Sequence, residues 1–252
     1  MTAVTAIVAA LHEELSSVLD LMPDEHRQTV AGRDFWLGHL HGHEVVVVLS
    51  GIGKVAAATT AALLIDRFKV DRIIFTGVAG GLGDGVKVGD MVVARQFLQH
   101  DMDASPIFER HEVPGYGRKR FDADADGSDR LKQACDETAA WVPQGIAPDV
   151  LEAHGLHAPQ VHEGLLLSGD RFVSTNAESQ KLCAELPEAL AVEMEGAAFA
   201  QVCHDFGVPL AVVRTISDRA DDEAHVDFPK FLREVASRYS GVVVDRLLRA
   251  WH

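Results

Sequence analysis

One stretch restricts the possible folds of this chain more than any other: Leu190 to Arg219, LAVEMEGAAFAQVCHDFGVPLAVVRTISDR. Val192, Glu193, Met194 and Glu195 lead from a short strand into a helix. Glu195, Ala198, Phe199, Val202 and Phe206 recur there at helical spacing. Gly207 and then Pro209 end that helix in the usual order. Leu210 to Val213 is a short apolar run, suited to a strand covered on both faces. Two features do not suit a plain core. Glu195 falls on the apolar stripe of its own helix, although an unpaired buried carboxylate is expensive. Arg214, Ser217 and Asp218 follow the apolar run directly, where the carboxyl end of a strand opens and α/β sheets bind ligands. A buried Glu195–Arg214 ion pair with Asp218 as a helix cap is the structural alternative.

The rest of the chain fits the same alternation of strand and helix. Residues 3 to 10 read as a buried first strand, and a helix follows with Leu11, Leu15, Val18, Leu19 and Met22 on one side. Glu14 borders that stripe and feels the positive end of the helix dipole; Glu13 shares its side with Ser16, Ser17 and Asp20 and faces water. Residues 34 to 49 resemble a hairpin around His41-Gly42-His43. His39, His41 and His43 alternate along it, but no carboxylate or cysteine completes a metal set, so they read as surface imidazoles. Ser50-Gly51-Ile52-Gly53-Lys54 is a glycine turn ahead of an Ala-rich helix from Val55 to about Phe68; it has neither dinucleotide-binding nor Walker spacing. Arg72 to Thr76 is a buried strand. The following run from Gly77 to Gly83 either admits a flat ligand beside the backbone or packs a loop tightly. Val88 to Ala94 returns to a strand.

Residues 97 to 130 are polar, and Asp122, Asp124, Asp126 and Gly127 imitate the opening of a calcium loop. Gln133 stands where that loop needs its glutamate, so a solvated acidic loop is expected instead. Residues 128 to 141 look helical and 142 to 160 look like a long loop. Gly164 to Ser168 is a strand, after which Phe172 could stack on a planar base. Asp227-Phe228-Pro229 opens the last helix, with Phe231, Val235, Tyr239, Val242 and Leu247 on one side.

Composition removes several function classes. A formal charge of −15, from 23 Lys and Arg against 38 Asp and Glu, repels nucleic acid and anionic lipid. No stretch approaches the roughly 20 apolar residues of a membrane span, and MTAVTAIVAALHEE lacks the basic start of a signal peptide. Three scattered cysteines, Cys135, Cys183 and Cys203, lack metal spacing and suit a reducing cytoplasm. No cofactor and no metal is expected.

VEMEGAA followed by VVRTISD resembles the 5'-methylthioadenosine/S-adenosylhomocysteine nucleosidase family of the purine nucleoside phosphorylase superfamily. Four further segments extend the resemblance in the family's order: Ala9 to Glu14, Ser50 to Val55, Thr76 to Leu82 and Ser168 to Phe172. It implies one α/β domain over residues 1–252, three-layer α/β/α with a mostly parallel mixed central sheet, in which 97–160 is a variable region. It implies hydrolysis of an N-glycosidic bond. Asp218 would protonate the purine, steered by Ser217, and Glu14 would activate water with help from Arg214. Glu195 would hold ribose hydroxyls and Met194 would pack on the sugar beside Glu193. Phe172 would stack on adenine, with the Val173 backbone at the base edge. Val78, Ala79 and Gly80 would line the site, and Ile52 and Phe228 would line the pocket for the 5'-substituent. Val78 departs from the family, which often has a serine there. The loop His100 to Phe108 would cross to a neighbouring subunit of a homodimer and offer Ile107 or Phe108.

A related nucleosidase or a phosphorylase is the alternative, and a non-catalytic binding protein is a third. Phosphorylases of this fold place arginines after the first strand and three residues before the serine of the glycine loop. Here those regions offer His12, Glu13 and Glu14, and Phe75 ahead of Val78, a pattern that favours water over phosphate. Retention of Glu14 and Asp218 argues against a binding protein without catalysis.

Overall fold

The computed structural model describes residues 3–156, 158–221 and 224–251. Strand β1 (Val4–Ala9) leads into α1 (His12–Leu19), then into the ribbon of β2 (His26–Val30), β3 (Arg33–Leu40) and β4 (His43–Leu49). Helix α2 (Lys54–Asp66) precedes β5 (Arg72–Gly81), β6 (Met91–Gln99) and the short β7 (Arg120–Asp122). Next come α3 (Ala125–Gly145), α4 (Pro148–Ala153), β8 (Val161–Ser168) and α5 (Asn176–Glu185). The stretch rich in signals becomes β9 (Ala189–Glu193), α6 (Gly196–Phe206) and β10 (Leu210–Asp218). The last elements are α7 (Ala224–Phe231), a π-helical turn at Leu232–Ala236, and α8 (Ser237–Ala250).

All ten strands join one sheet. Its inner strands β1, β4 and β5 are apolar on both faces because helices cover both. Ala6 and Val8 of β1, Val46 and Val48 of β4, and Ile73 and Phe75 of β5 pack with Ala57, Ala61 and Leu64 of α2 and Phe199 of α6. The intervening residues Ile7, Ala9, Val45 and Val47 meet Leu15 and Val18 of α1 and Val244 and Leu248 of α8.

The sheet departs from expectation in two ways. Parallel pairing was to dominate, yet β2–β3, β3–β4, β5–β9, β6–β7 and β6–β10 are antiparallel, as many as the parallel pairs among the described residues. It is also not a flat middle layer. β10 pairs with both β5 and β6, and β6–β8–β9–β5 completes a closed ring, so this part curls into a barrel that removes its own edges.

Local boundaries shift as well. β5 does not stop at Thr76 but runs through the glycine stretch to Gly81, paired with β10 on one side and β9 on the other. The acidic segment is not a solvated loop: Asp122 ends β7, and Asp124 caps α3 by accepting from the Gly127 N–H at 2.7 Å. Part of the long loop after residue 142 is helical, since α3 reaches Gly145 and α4 follows. The final helix opens at Ala224 rather than Asp227, with Pro229 inside it.

Candidate active site

Glu14 is built into the start of α1. Its Oε2 accepts from the backbone N–H of Leu11 (3.0 Å) and Ala10 (3.1 Å), satisfying donors that the helix cannot. Helix capping therefore accounts for one oxygen only: Oε1 is buried without a hydrogen-bond partner. Burial pushes the Glu14 pKa up to about 7, against the pull of the Arg214 charge and of the backbone N–H groups of Leu11, Ala10 and Val78. Glu13 is exposed, as its side of the helix predicts.

Glu195 does not ride on the apolar stripe of α6. It is the residue just before the helix, with φ −131°, and its Oε1 accepts from the Gly53 N–H at 2.9 Å. Burial pushes its pKa up to about 7, with a further push from the Glu193 charge and a pull down from Arg214. The partner of Arg214 is Glu193, not Glu195. Nε and Nη2 donate to Glu193 Oε2 at 3.2 and 2.7 Å, and the guanidinium stands 4.0 Å over the Phe75 ring. Because the helix begins at Gly196, Glu195 is left at its mouth and the buried cation falls to the last residue of β9. Glu193 also accepts from the N–H groups of Glu195 and Gly196 and from the Ser168 hydroxyl, so its burial is fully compensated.

Asp218, at the end of β10, accepts from the Ser217 hydroxyl at 2.8 Å and from the Ala220 N–H at 2.8 Å. Two glycines of β5 let charged groups reach the strand. A Cβ on Gly80 would stand 3.0 Å from Asp218 Oδ1, and one on Gly77 would stand 2.9 Å from Arg214 Nη1 and 3.2 Å from Glu14 Oε1. Close packing and ligand access thus coexist in the glycine run.

These groups meet at one cavity of about 370 Å³. Glu14, Ile52, Val78, Ala79, Gly80, Phe172, Val173, Glu193, Met194, Glu195, Ser217, Asp218 and Phe228 line it, contributed by the ends of β1, β4, β5, β8, β9 and β10 and by α7. Arg214 is buried behind the wall. Phe172, which is 42% exposed, meets Phe228 edge to face with ring centroids 5.5 Å apart. Ala10, Leu11, Arg171 and Val192 also line the cavity and were not singled out from sequence. Adjacency to Glu14, Phe172 and Glu193 was the signal available.

Within the chain, the loop from His100 to Phe108 contributes nothing to the cavity; Ile107 is exposed and Phe108 half-buried. The alternating histidines take three separate partners: Asp24 for His39, Asp245 for His41 and the Leu248 carbonyl for His43. Among the described residues, no cluster of His, Cys, Asp or Glu could hold a metal ion and no helix is long and apolar enough to cross a membrane.

Residues 4–249 match the model of the phosphorylase superfamily. The structure is similar to that of a Neisseria meningitidis 5'-methylthioadenosine/S-adenosylhomocysteine nucleosidase in complex with methylthio-immucillin-A. Identity is 33%, the match covers 98% of this chain and 99% of that one, and the TM-score is 0.85. The Streptococcus pneumoniae nucleosidase in complex with 8-aminoadenine matches at 33% identity, covering 99% and 100% of the two chains, with a TM-score of 0.84. The futalosine hydrolase of Helicobacter pylori is as similar, with 33% identity, coverage of 98% and 97%, and a TM-score of 0.84.

Proposed function

The chain belongs to the 5'-methylthioadenosine/S-adenosylhomocysteine nucleosidase family of the phosphorylase superfamily and is a purine nucleosidase; we propose that it hydrolyses the N-glycosidic bond of 5'-methylthioadenosine, S-adenosylhomocysteine or both, releasing adenine. Breaking that bond places positive charge on the ribose and negative charge on the departing base. Asp218, oriented by Ser217, gives a proton to the purine, while Glu14 takes one from the water that attacks the anomeric carbon. Glu195 accepts hydrogen bonds from the ribose hydroxyls, and its charge favours the cationic transition state. Phe172 and Phe228 present ring faces and edges to the adenine and the 5'-substituent, and Met194 packs on the sugar. We take the whole chain as one nucleosidase domain acting as a homodimer.

One observation carries the choice of water over phosphate: four buried carboxylates, Glu14, Glu193, Glu195 and Asp218, line the cavity, and the buried cation behind it is paired with one of them. Arg214 is paired with Glu193, and Arg171 at the rim is paired with Glu178. A phosphate dianion beside the anomeric carbon would face Glu14 and Glu195 with only carboxylate-paired cations near it, whereas a carboxylate polarises water well. Equal similarity to a futalosine hydrolase gives a second reading, in which futalosine is the nucleoside hydrolysed. The test is base release in phosphate-free buffer from methylthioadenosine, adenosylhomocysteine, futalosine, adenosine and inosine, with the sugar identified by mass. Free thioribose and adenine are expected. Strict dependence on phosphate, with a sugar 1-phosphate product, would overturn the reading.

A further inference from the structure

Beside the cavity, and outside the chemistry just assigned, three charged side chains join three separate loops. Lys54, the first residue of α2, places Nζ 2.5 Å from Asp101 Oδ1 and 3.8 Å from Asp170 Oδ2. Its backbone N–H donates to Asp170 Oδ1 at 2.7 Å, and the Asp170 N–H donates to Asp101 Oδ2 at 2.9 Å. The ring of contacts therefore closes on itself. Lys54 is only 15% exposed, so this is not a loose surface pair. Packing leaves little slack: a Cβ on Gly53 would stand 3.0 Å from Asp170 Oδ1, and one on Gly169 would overlap His100.

Two arms of the ring, those of Lys54 and Asp170, end on a wall of the cavity. The residue before Lys54 is Gly53, whose N–H holds Glu195 Oε1, and the one before that is Ile52. Two residues after Asp170 comes Phe172. The two adjacent N–H groups that open α2 are thus divided between a carboxylate in the cavity and a carboxylate outside it.

We infer that Lys54, with Asp101 and Asp170, is a positioning residue for glycosidic hydrolysis, holding the Glu195 carboxylate and the Phe172 wall in register. The inference rests on the reaction proposed above. Lys54 touches neither substrate nor water in this role; it acts through Gly53 and Asp170. Loss of the ring frees the α2 turn, weakens the Gly53 bond to Glu195 and lets the Phe172 loop drift. A displacement on the order of 1 Å costs about 100-fold in rate.

The consequence for Glu195 has a definite sign. Burial opposes its ionisation most, with Glu193 and Glu14 adding to that, while Arg214 and the Gly53 N–H favour it. Removing the Gly53 donor makes the ionised form harder to reach. The acid limb of the kcat/KM profile then moves to higher pH, a change that a general loss of stability does not produce.

The experiment compares Lys54→Met, Lys54→Arg and Asp101→Asn in the full chain. Lys54→Met is expected to lower kcat/KM about 10- to 100-fold, to move the acid limb upward and to weaken adenine binding measured by calorimetry. Lys54→Arg restores most of each, because it keeps the cation. Asp101→Asn reproduces Lys54→Met, and the double variant is no worse than either. Wild-type kcat/KM and an unmoved profile in Lys54→Met overturn the inference, as does a fall in rate that tracks melting temperature with the profile unmoved. Should the wild type release no base from any nucleoside, the proposed reaction fails. The clasp is then judged by adenine affinity and by the titration of Glu195 followed by NMR, which Lys54→Met must still shift.

Discussion

Glu14 shows how one side chain is made to serve structure and chemistry at once. One oxygen closes the start of α1 and the other has no bond, in a fully buried site. With its pKa raised to about 7 from an unfolded value of 4.5, the folded state holds a proton that the unfolded chain has released in between. Stability from this group is fully present below about pH 4.5 and is lost as pH rises through about 7, by on the order of 3 kcal/mol. Glu14→Gln removes the charge but keeps the shape. It is expected to cut kcat about 10²- to 10⁴-fold while raising the melting temperature above that of wild type at pH 8 and not at pH 4.5. Glu13→Gln, on the wet side, should change neither. A Glu14→Gln protein that is less stable than wild type at pH 8 would show that the carboxylate is ionised without cost. The contrast between Glu13 and Glu14 was legible because one turn of helix separates Glu14 from Val18 and so fixes its side. That between Glu193 and Glu195 was not. It depends on whether the helix starts one residue earlier or later, and propensity rarely decides that.

At the level of elements, the position of Glu14 depends on how closely α1 lies against α8. A Cβ on Gly241 would stand 2.9 Å from Ser17 Oγ and 3.0 Å from its Cβ, and the Ser17 hydroxyl donates to the Ser237 carbonyl. Gly241→Ala gains about 1 kcal/mol of helix propensity but forces the helices apart, at a cost of about 1–3 kcal/mol. The expected net result is a lower melting temperature and a lower kcat, with Ser17→Ala in the same chain recovering part of both. A Gly241→Ala enzyme as stable and active as wild type would show that α1 tolerates the shift. The face of α8 that makes this contact was half visible in the sequence. Phe231, Val235 and Tyr239 are buried as their spacing predicts, but Val243 rather than Val242 continues the stripe. The π turn at Leu232–Ala236 adds about one residue to that part of the helix, which a 3.6-residue period cannot anticipate. β5 was cut short for a related reason: glycine has poor strand propensity, and its pairing there comes from β9 and β10, distant in sequence.

The whole molecule poses the question of assembly, where sequence and single-chain structure meet. Closure of the sheet was hidden because the β5–β10 pairing joins residues far apart in the chain, whereas covered strands and a strand-end site were readable from local runs. The same scale leaves apolar side chains outside. Ile52, Val55 and Ile107 are 61%, 80% and 82% exposed, and the Lys54–Asp101 contact ties the turn that bears Ile52 and Val55 to the loop that leads to Ile107. Ile52 is also a cavity wall, so the apolar surface runs on from the site. An apolar rim of this kind is what a partner subunit would cover. Two copies of a chain with a formal charge of −15 repel each other, and salt screens that repulsion beyond about 8 Å at physiological ionic strength. We therefore expect a homodimer by light scattering at micromolar concentration in physiological salt, loosening as salt is removed. Ile107→Glu puts a charge into the covered rim. It is expected to give a monomer with an unchanged melting profile at low concentration, a raised KM for nucleosides with long 5'-substituents, and a smaller effect on adenosine. A wild-type monomer that remains fully active would remove the shared pocket, and a dimeric Ile107→Glu enzyme would move the interface elsewhere on the surface.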